Sequence, residues 1–129
     1  MLRLAFVLLA VMGSAAACSP GGPVKIAVIQ LGKTLNTDNS VGNHTTRFKP
    51  DDTIYLAILT DEPGASKVTV RWLLNGQLVS EASRDVSHMR PAAEEFHLQN
   101  SGGFPAGQYR VDLLVDGKPA GSREFRVES

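Results

Sequence analysis

From Lys67 to Val79 the chain reads KVTVRWLLNGQLV, an alternation of apolar and polar residues running into an Asn-Gly pair. Successive side chains of an extended strand leave opposite faces. Val68, Val70, Trp72 and Leu74 therefore share one face, while Thr69 and Arg71 leave by the other. Asn75-Gly76 accepts the positive φ angles of a tight reversal. The same grammar recurs in GQYRVDLLVDGKPAGSREFRVES, where Tyr109, Val111, Leu113 and Val115 form the inward set and Arg110 and Asp112 point out. No stretch after Pro23 keeps a helical period. The chain reads as all-β.

Strands are expected near Lys25–Leu31, Thr53–Leu59, Lys67–Leu74, Gln77–Glu81, Glu94–Leu98, Gln108–Val115 and Ser122–Glu128. The polar stretch Gly32–Asn43 reads as the longest loop. Several short strands separated by turn residues point to an antiparallel β-sandwich of about seven strands. Its core is expected to hold Trp72, Tyr109, Val111 and Phe125. Turn geometry sets the register. A two-residue turn at Asp116-Gly117 would throw Phe125 and Val127 onto the face opposite Tyr109 and Val111. A three-residue connection, Val115-Asp116-Gly117, with a glycine bulge returns them to the core, and it is the expectation here. At Asn75-Gly76 either Leu78 or Val79 accompanies Trp72, and Leu73 adds to a small apolar spot outside.

In AGQYRV a tyrosine stands two residues before the core residue Val111, an arrangement similar to the tyrosine corner of immunoglobulin-like domains. The resemblance covers residues 24 to 128. Aliphatic residues stand where that family often carries a cysteine pair. It implies that the Tyr109 phenol ties down the loop entering its strand. The stretch FHLQNSGGFPAGQYRVDLLVDGKPAGSREFRV also resembles the closing hairpin of small uncharacterised Ig-like lipoproteins of the Gram-negative envelope. That group has no assigned activity, so the likeness implies fold and location only.

The first residues read as an export signal. Arg3 precedes the uncharged run Leu4–Met12, too short for the roughly 20 apolar residues of a membrane-spanning helix but suited to a signal-peptide core. Ala15-Ala16-Ala17 offers the small side chains a signal peptidase needs, directly before Cys18. The stretch GSAAACSP resembles the lipobox of bacterial lipoproteins, whose invariant cysteine becomes acylated. That family prefers leucine where this chain has Ala15, which leaves ordinary cleavage and a soluble periplasmic or secreted product as the alternative. Cys18 is the only cysteine, so it cannot form an internal disulfide. Residues 1–17 are thus read as a lipoprotein signal peptide, 18–23 as the lipidated cysteine and a short Pro/Gly tether, and 24–129 as the Ig-like domain. By resemblance, Ser19 directs the product to the outer membrane, facing the periplasm. The expected partners are the lipid bilayer, through acylated Cys18, and an unidentified envelope protein.

Charge adds exclusions. The chain carries 13 basic and 13 acidic residues; losing Arg3 leaves 12 against 13, a balance that disfavours nucleic acid. Gly32-Lys33-Thr34 follows a strand, but Ala27 occupies the position of the first glycine of a phosphate loop and no helix follows. His44, His88 and His97 form no sequence cluster. There is no Gly-x-Ser-x-Gly elbow or Ser-x-x-Lys pair. Glu94 and Glu95 leave opposite faces of one strand and cannot flank one substrate bond. No cofactor, metal or enzymatic activity is expected. Function is left to the surface: Gly32–Asn43, the segment Ser83–Ala93 with Arg84, His88, Met89 and Arg90, and the loop NSGGFPAG. Phe104 either plugs one end of the sandwich or, with Arg90 and Met89, anchors a partner. The expected role is protein binding or scaffolding; the alternative is a small-ligand or glycan-binding module, which would expose Trp72 or Tyr55.

Overall fold

A computed structural model describes residues 22–129. The expected signal peptide and Cys18 lie outside the described residues. The described chain holds no helix and forms nine strands: β1 Val28–Leu35, β2 Val41–His44, β3 Arg47–Phe48, β4 Ile54–Thr60, β5 Gly64–Leu74, β6 Gln77–His88, β7 Ala92–Leu98, β8 Gly107–Val115 and β9 Lys118–Val127. They build a four-stranded sheet in the order β2-β1-β4-β7 and a five-stranded sheet in the order β3-β9-β8-β5-β6. Every pairing is antiparallel except β3 with β9, which is parallel. Before β1, residues 22–24 form a strap beside the start of β5. Ala65 N–H donates to the Gly22 carbonyl at 3.0 Å, and Val24 N–H donates to the Ser66 hydroxyl at 2.9 Å.

Alternation places the core between the sheets. Ile54, Leu56 and Ile58 of β4 face Val68, Val70 and Trp72 of β5 and Tyr109, Val111 and Leu113 of β8, all buried. Phe125 is the hub. Its ring stacks on Tyr109 at 5.2 Å and meets Trp72 and Phe48 edge-on at 6.0 and 5.5 Å. Offset-stacked and edge-on geometries suit the ring quadrupoles. The four residues expected inside, Trp72, Tyr109, Val111 and Phe125, all lie there.

Register is reached by a different device from the one expected. At Asp116-Gly117 the turn has two residues, with Val115 opposite Lys118 and φ of 51° and 80°. The pairing then slips: Leu114 faces Pro119 but Leu113 faces Gly121, so Ala120 is bulged out. That extra residue restores parity and brings Phe125 opposite Tyr109. The three-residue connection is therefore corrected, while its consequence for the core holds. The β5–β6 hairpin repeats the arrangement. Asn75 and Gly76 take φ of 49° and 83°, Leu73 faces Leu78, and Trp72 faces Ser80 across a bulge at Val79. Neither Leu78 nor Val79 joins Trp72; both are exposed. Leu73 lies on the outer face opposite exposed Leu78, as expected, but is itself buried there.

Two expected loops are strands. Gly32–Asn43 is a hairpin, β1–β2, that curls over the outer face of the four-stranded sheet. Gly32 makes the curl possible, because a methyl group there would collide with Val41 Cγ1 and lie 2.8 Å from the Asn43 carbonyl oxygen. The curl buries Val41, whose N–H donates to Gln30 Oε1 at 3.1 Å. The segment after Glu81 continues as β6 to His88, paired with β5 throughout.

The two long sides of the sandwich are closed differently. At one, the chain passes from β2 in one sheet to β3 in the other. Thr45 N–H bonds the Leu31 carbonyl and Arg126 N–H bonds the Thr46 carbonyl. At the other, β6 and β7 are the terminal strands of their sheets, and main-chain ladders stop at both.

Candidate interaction surface

On β6, pairing with β5 puts Ser80, Ala82, Arg84, Val86 and His88 on the row that faces the other sheet. On β7, Glu94 faces inward with Phe96, opposite Ile58 and Leu56. Arg84 spans the gap between the sheets. Its guanidinium donates to Glu94 Oε2 at 2.8 Å and to the Glu95 carbonyl at 2.9 Å, and covers the Phe96 ring at 4.4 Å. His88 Nε2 lies 3.1 Å from the other Glu94 oxygen. A charge pointed inward from an edge strand discourages unwanted pairing, so this half of the seam is latched. Glu95 leaves by the opposite face, where it pairs with His97. The two carboxylates are separated as alternation demands. Among the described residues, no three His, Cys, Asp or Glu side chains gather in a metal-binding group.

Toward the Asn75-Gly76 end the seam opens. A groove of about 400 Å³ is lined by Leu74, Val79, Leu98, Phe104, Pro105 and Tyr109 with Ser80, Gln99 and Asn100. Val79 is 50% exposed and Leu78 47%. Phe104 is no exposed anchor: it is buried, edge-on to Tyr109 at 6.3 Å, and forms the groove floor. The Tyr109 hydroxyl donates to the Pro105 carbonyl at 2.7 Å and fixes the incoming loop. Burial pushes the phenol pKa up, because an ionised oxygen there would lose its water.

Met89 and Arg90 sit at the opposite end of β6, on the turn into β7. Both are exposed, Met89 at 68%. Trp72 is 1% exposed, and Tyr55 is half-buried beside His97 at 5.9 Å between ring centres. The aromatic face a glycan binder would present is therefore not built around Trp72. A second apolar groove, about 430 Å³, lies on the outer face of the four-stranded sheet. Val28, Leu59, Pro91 and Ala93 line it, with the curled hairpin's Asp38 and Ser40 at its rim. Asp38 is held below the usual carboxylate range by the Ser40 hydroxyl and N–H.

Sequence reasoning named Arg84 and His88 only as loop residues and read Glu94 only as half of an adjacent pair. The missed signal was parity: Arg84 shares its face with Val86, and Glu94 shares its face with Phe96 and Leu98.

No protein-family model matches the chain, and no curated protein is significantly similar to it. Among solved structures, an immunoglobulin-like protein from Pseudomonas aeruginosa superposes with a TM-score of 0.54 at 13% identity, over 81% of this chain and 96% of that one. The fold is immunoglobulin-like. Weaker likenesses are to a Pseudomonas fluorescens alkylpurine DNA glycosylase (TM-score 0.45, 16% identity, 78% of this chain) and a Listeria innocua β-glucosidase (0.48, 11%, 79%). The chain spans only 30% and 16% of those two proteins.

Proposed function

We propose that this immunoglobulin-like domain is a non-catalytic, lipid-anchored envelope protein that binds another protein through its β6–β7 side. One observation carries the reading. β6 is a twelve-residue strand paired on one side only, and the apolar groove floored by Phe104 opens beside its first residues. An extended segment of a partner can hydrogen-bond to such an edge and place an alternate side chain in the pocket. The anchor is acylated Cys18, with the domain on the periplasmic side of the outer membrane.

In-cell photo-crosslinking tests the surface. A crosslinker at Val79 should capture a specific protein neighbour, and one at Glu124, on the outer face of the five-stranded sheet, should not. No protein captured at Val79, together with a specific glycan-dependent shift, would overturn the reading in favour of a glycan-binding module. Globomycin tests the anchor: precursor should accumulate under the drug, and unaffected maturation would remove the lipidation claim.

A further inference from the structure

The exposed apolar residues divide between the two ends of the molecule. Leu78 and Val79 lie beside the Asn75-Gly76 turn. Met89 and Val28, 68% and 44% exposed, lie at the other end, where the chain arrives from Cys18. The pairings fix that placement. Gly64 faces His88, the residue before Met89. On the other flank of β5, Ala65 bonds Gly22, and a methyl group at Gly64 would lie 2.9 Å from the Pro23 carbonyl oxygen. The strap and the Met89–Pro91 turn are thus about two strand spacings apart, roughly 10 Å. Val28 faces Leu59 at this same end, and its groove is completed by Pro91 and Ala93.

Cys18 precedes Gly22 by four residues, a reach of at most about 14 Å even when fully extended. An acylated Cys18 therefore holds this end of the sandwich against the bilayer and the Asn75-Gly76 end away from it. We infer that the Met89–Arg90–Pro91 turn is a membrane-contacting foot, with Met89 and the Val28 groove seated among phospholipid headgroups. The inference rests on the lipid-anchor reading above. Lys25, Lys67, Arg90 and Lys118 at this end stand against Asp38, Asp61, Glu62, Asp85 and Asp116, and Lys25 is paired with Glu62 at 3.2 Å. With charges so close to balance, the fitting surface is zwitterionic phospholipid. One methionine and one valine bind a bilayer weakly on their own. A short tether raises their local concentration to the order of millimolar and makes the contact persistent.

The test bypasses cellular acylation. The chain from Cys18 onward is coupled through its single thiol to maleimide-headgroup lipid in phosphatidylcholine vesicles that also contain brominated lipid. After subtraction of the Trp72 emission of the unsubstituted chain treated in the same way, Met89→Trp fluorescence should be quenched about twofold or more on coupling, because an interfacial residue sits near the acyl boundary. Gln77→Trp, at the far end, should be unchanged. In the unsubstituted chain, hydrogen exchange across residues 88–93 should slow severalfold on coupling. Equal quenching at both positions, or none at Met89→Trp with unchanged exchange at 88–93, overturns the inference. Since the anchor is supplied chemically, that failure is distinct from unaffected maturation under globomycin.

Discussion

The β2–β3 side and the β6–β7 side of this sandwich solve one problem with different chemistry. Along β2–β3 the backbone crosses between sheets, so main-chain hydrogen bonds join them and Phe48 is driven into the core against Phe125. Along β6–β7 past the turn, the sheets meet through the Arg84, His88 and Glu94 side chains, and beyond Ala82 even those give way to the groove. A side closed by backbone is committed to the fold. A side closed by side chains can open by rotamer changes alone, and it is the side proposed above for a partner.

Substitutions on the two sides should differ in size. Phe48→Ala removes a buried aromatic from the closed side and should cost about 3–5 kcal/mol, measured by urea unfolding. A loss below about 1 kcal/mol would mean that the β2–β3 side is no more committed to the fold than the β6–β7 side. Tyr109→Phe keeps the ring but removes the hydrogen bond to the exposed Pro105 carbonyl. It should cost about 0.5–1.5 kcal/mol and speed proteolysis within residues 99–106 without affecting β3. Arg84→Ala releases the latch. Half-exposed pairs contribute little, so the global loss should be about 1 kcal/mol or less. Amide exchange should rise in β6 and β7 and stay unchanged in β9. Rises of equal size in β6, β7 and β9 would show that the latch is not local.

The smallest effect is a pH dependence on the closed side. Burial pushes the Asp52 carboxyl up, but the Lys49 N–H at 2.7 Å and the Lys33 ammonium at 3.2 Å outweigh it and leave its pKa lowered. A carboxylate with a lowered folded-state pKa stabilises above its unfolded value, and the contribution fades as pH falls through the folded value. Stability should therefore drop below about pH 4, and Asp52→Asn should flatten that slope. An unchanged slope would remove Asp52 from the account.

How much of this was legible depended on how many neighbours each segment has. The β5 and β8 strands lie inside their sheet, one face toward the core and one toward water, and their alternation reads directly. Tyr109 could be placed by its offset from Val111. β6 has a single ladder partner, and only Val86 in it is buried, so SEASRDVSH looked like a loop. β2 and β3 are four and two residues long, held by Gly32's lack of a side chain and by the Phe48 pocket, which are tertiary facts. The bulges at Val79 and Ala120 escaped because pattern predicts parity but not where the extra residue goes. Gly121, with φ of 149° and Ile29 packed where a side chain would sit, was the available hint.

Residues 22–24 give the fold a built-in compliance. Load applied through Cys18 meets the Gly22 and Val24 hydrogen bonds one after the other, as in peeling tape, whereas the ladders behind them share any shear. The strap therefore releases first and pays out five residues, roughly 17 Å of added leash, before Ala27 and its bond to Leu59 take the strain. With Cys18 acylated as proposed, an envelope that swells or bends would draw out this leash at the cost of exposing Val24, which is buried in the core, while the strands stay paired.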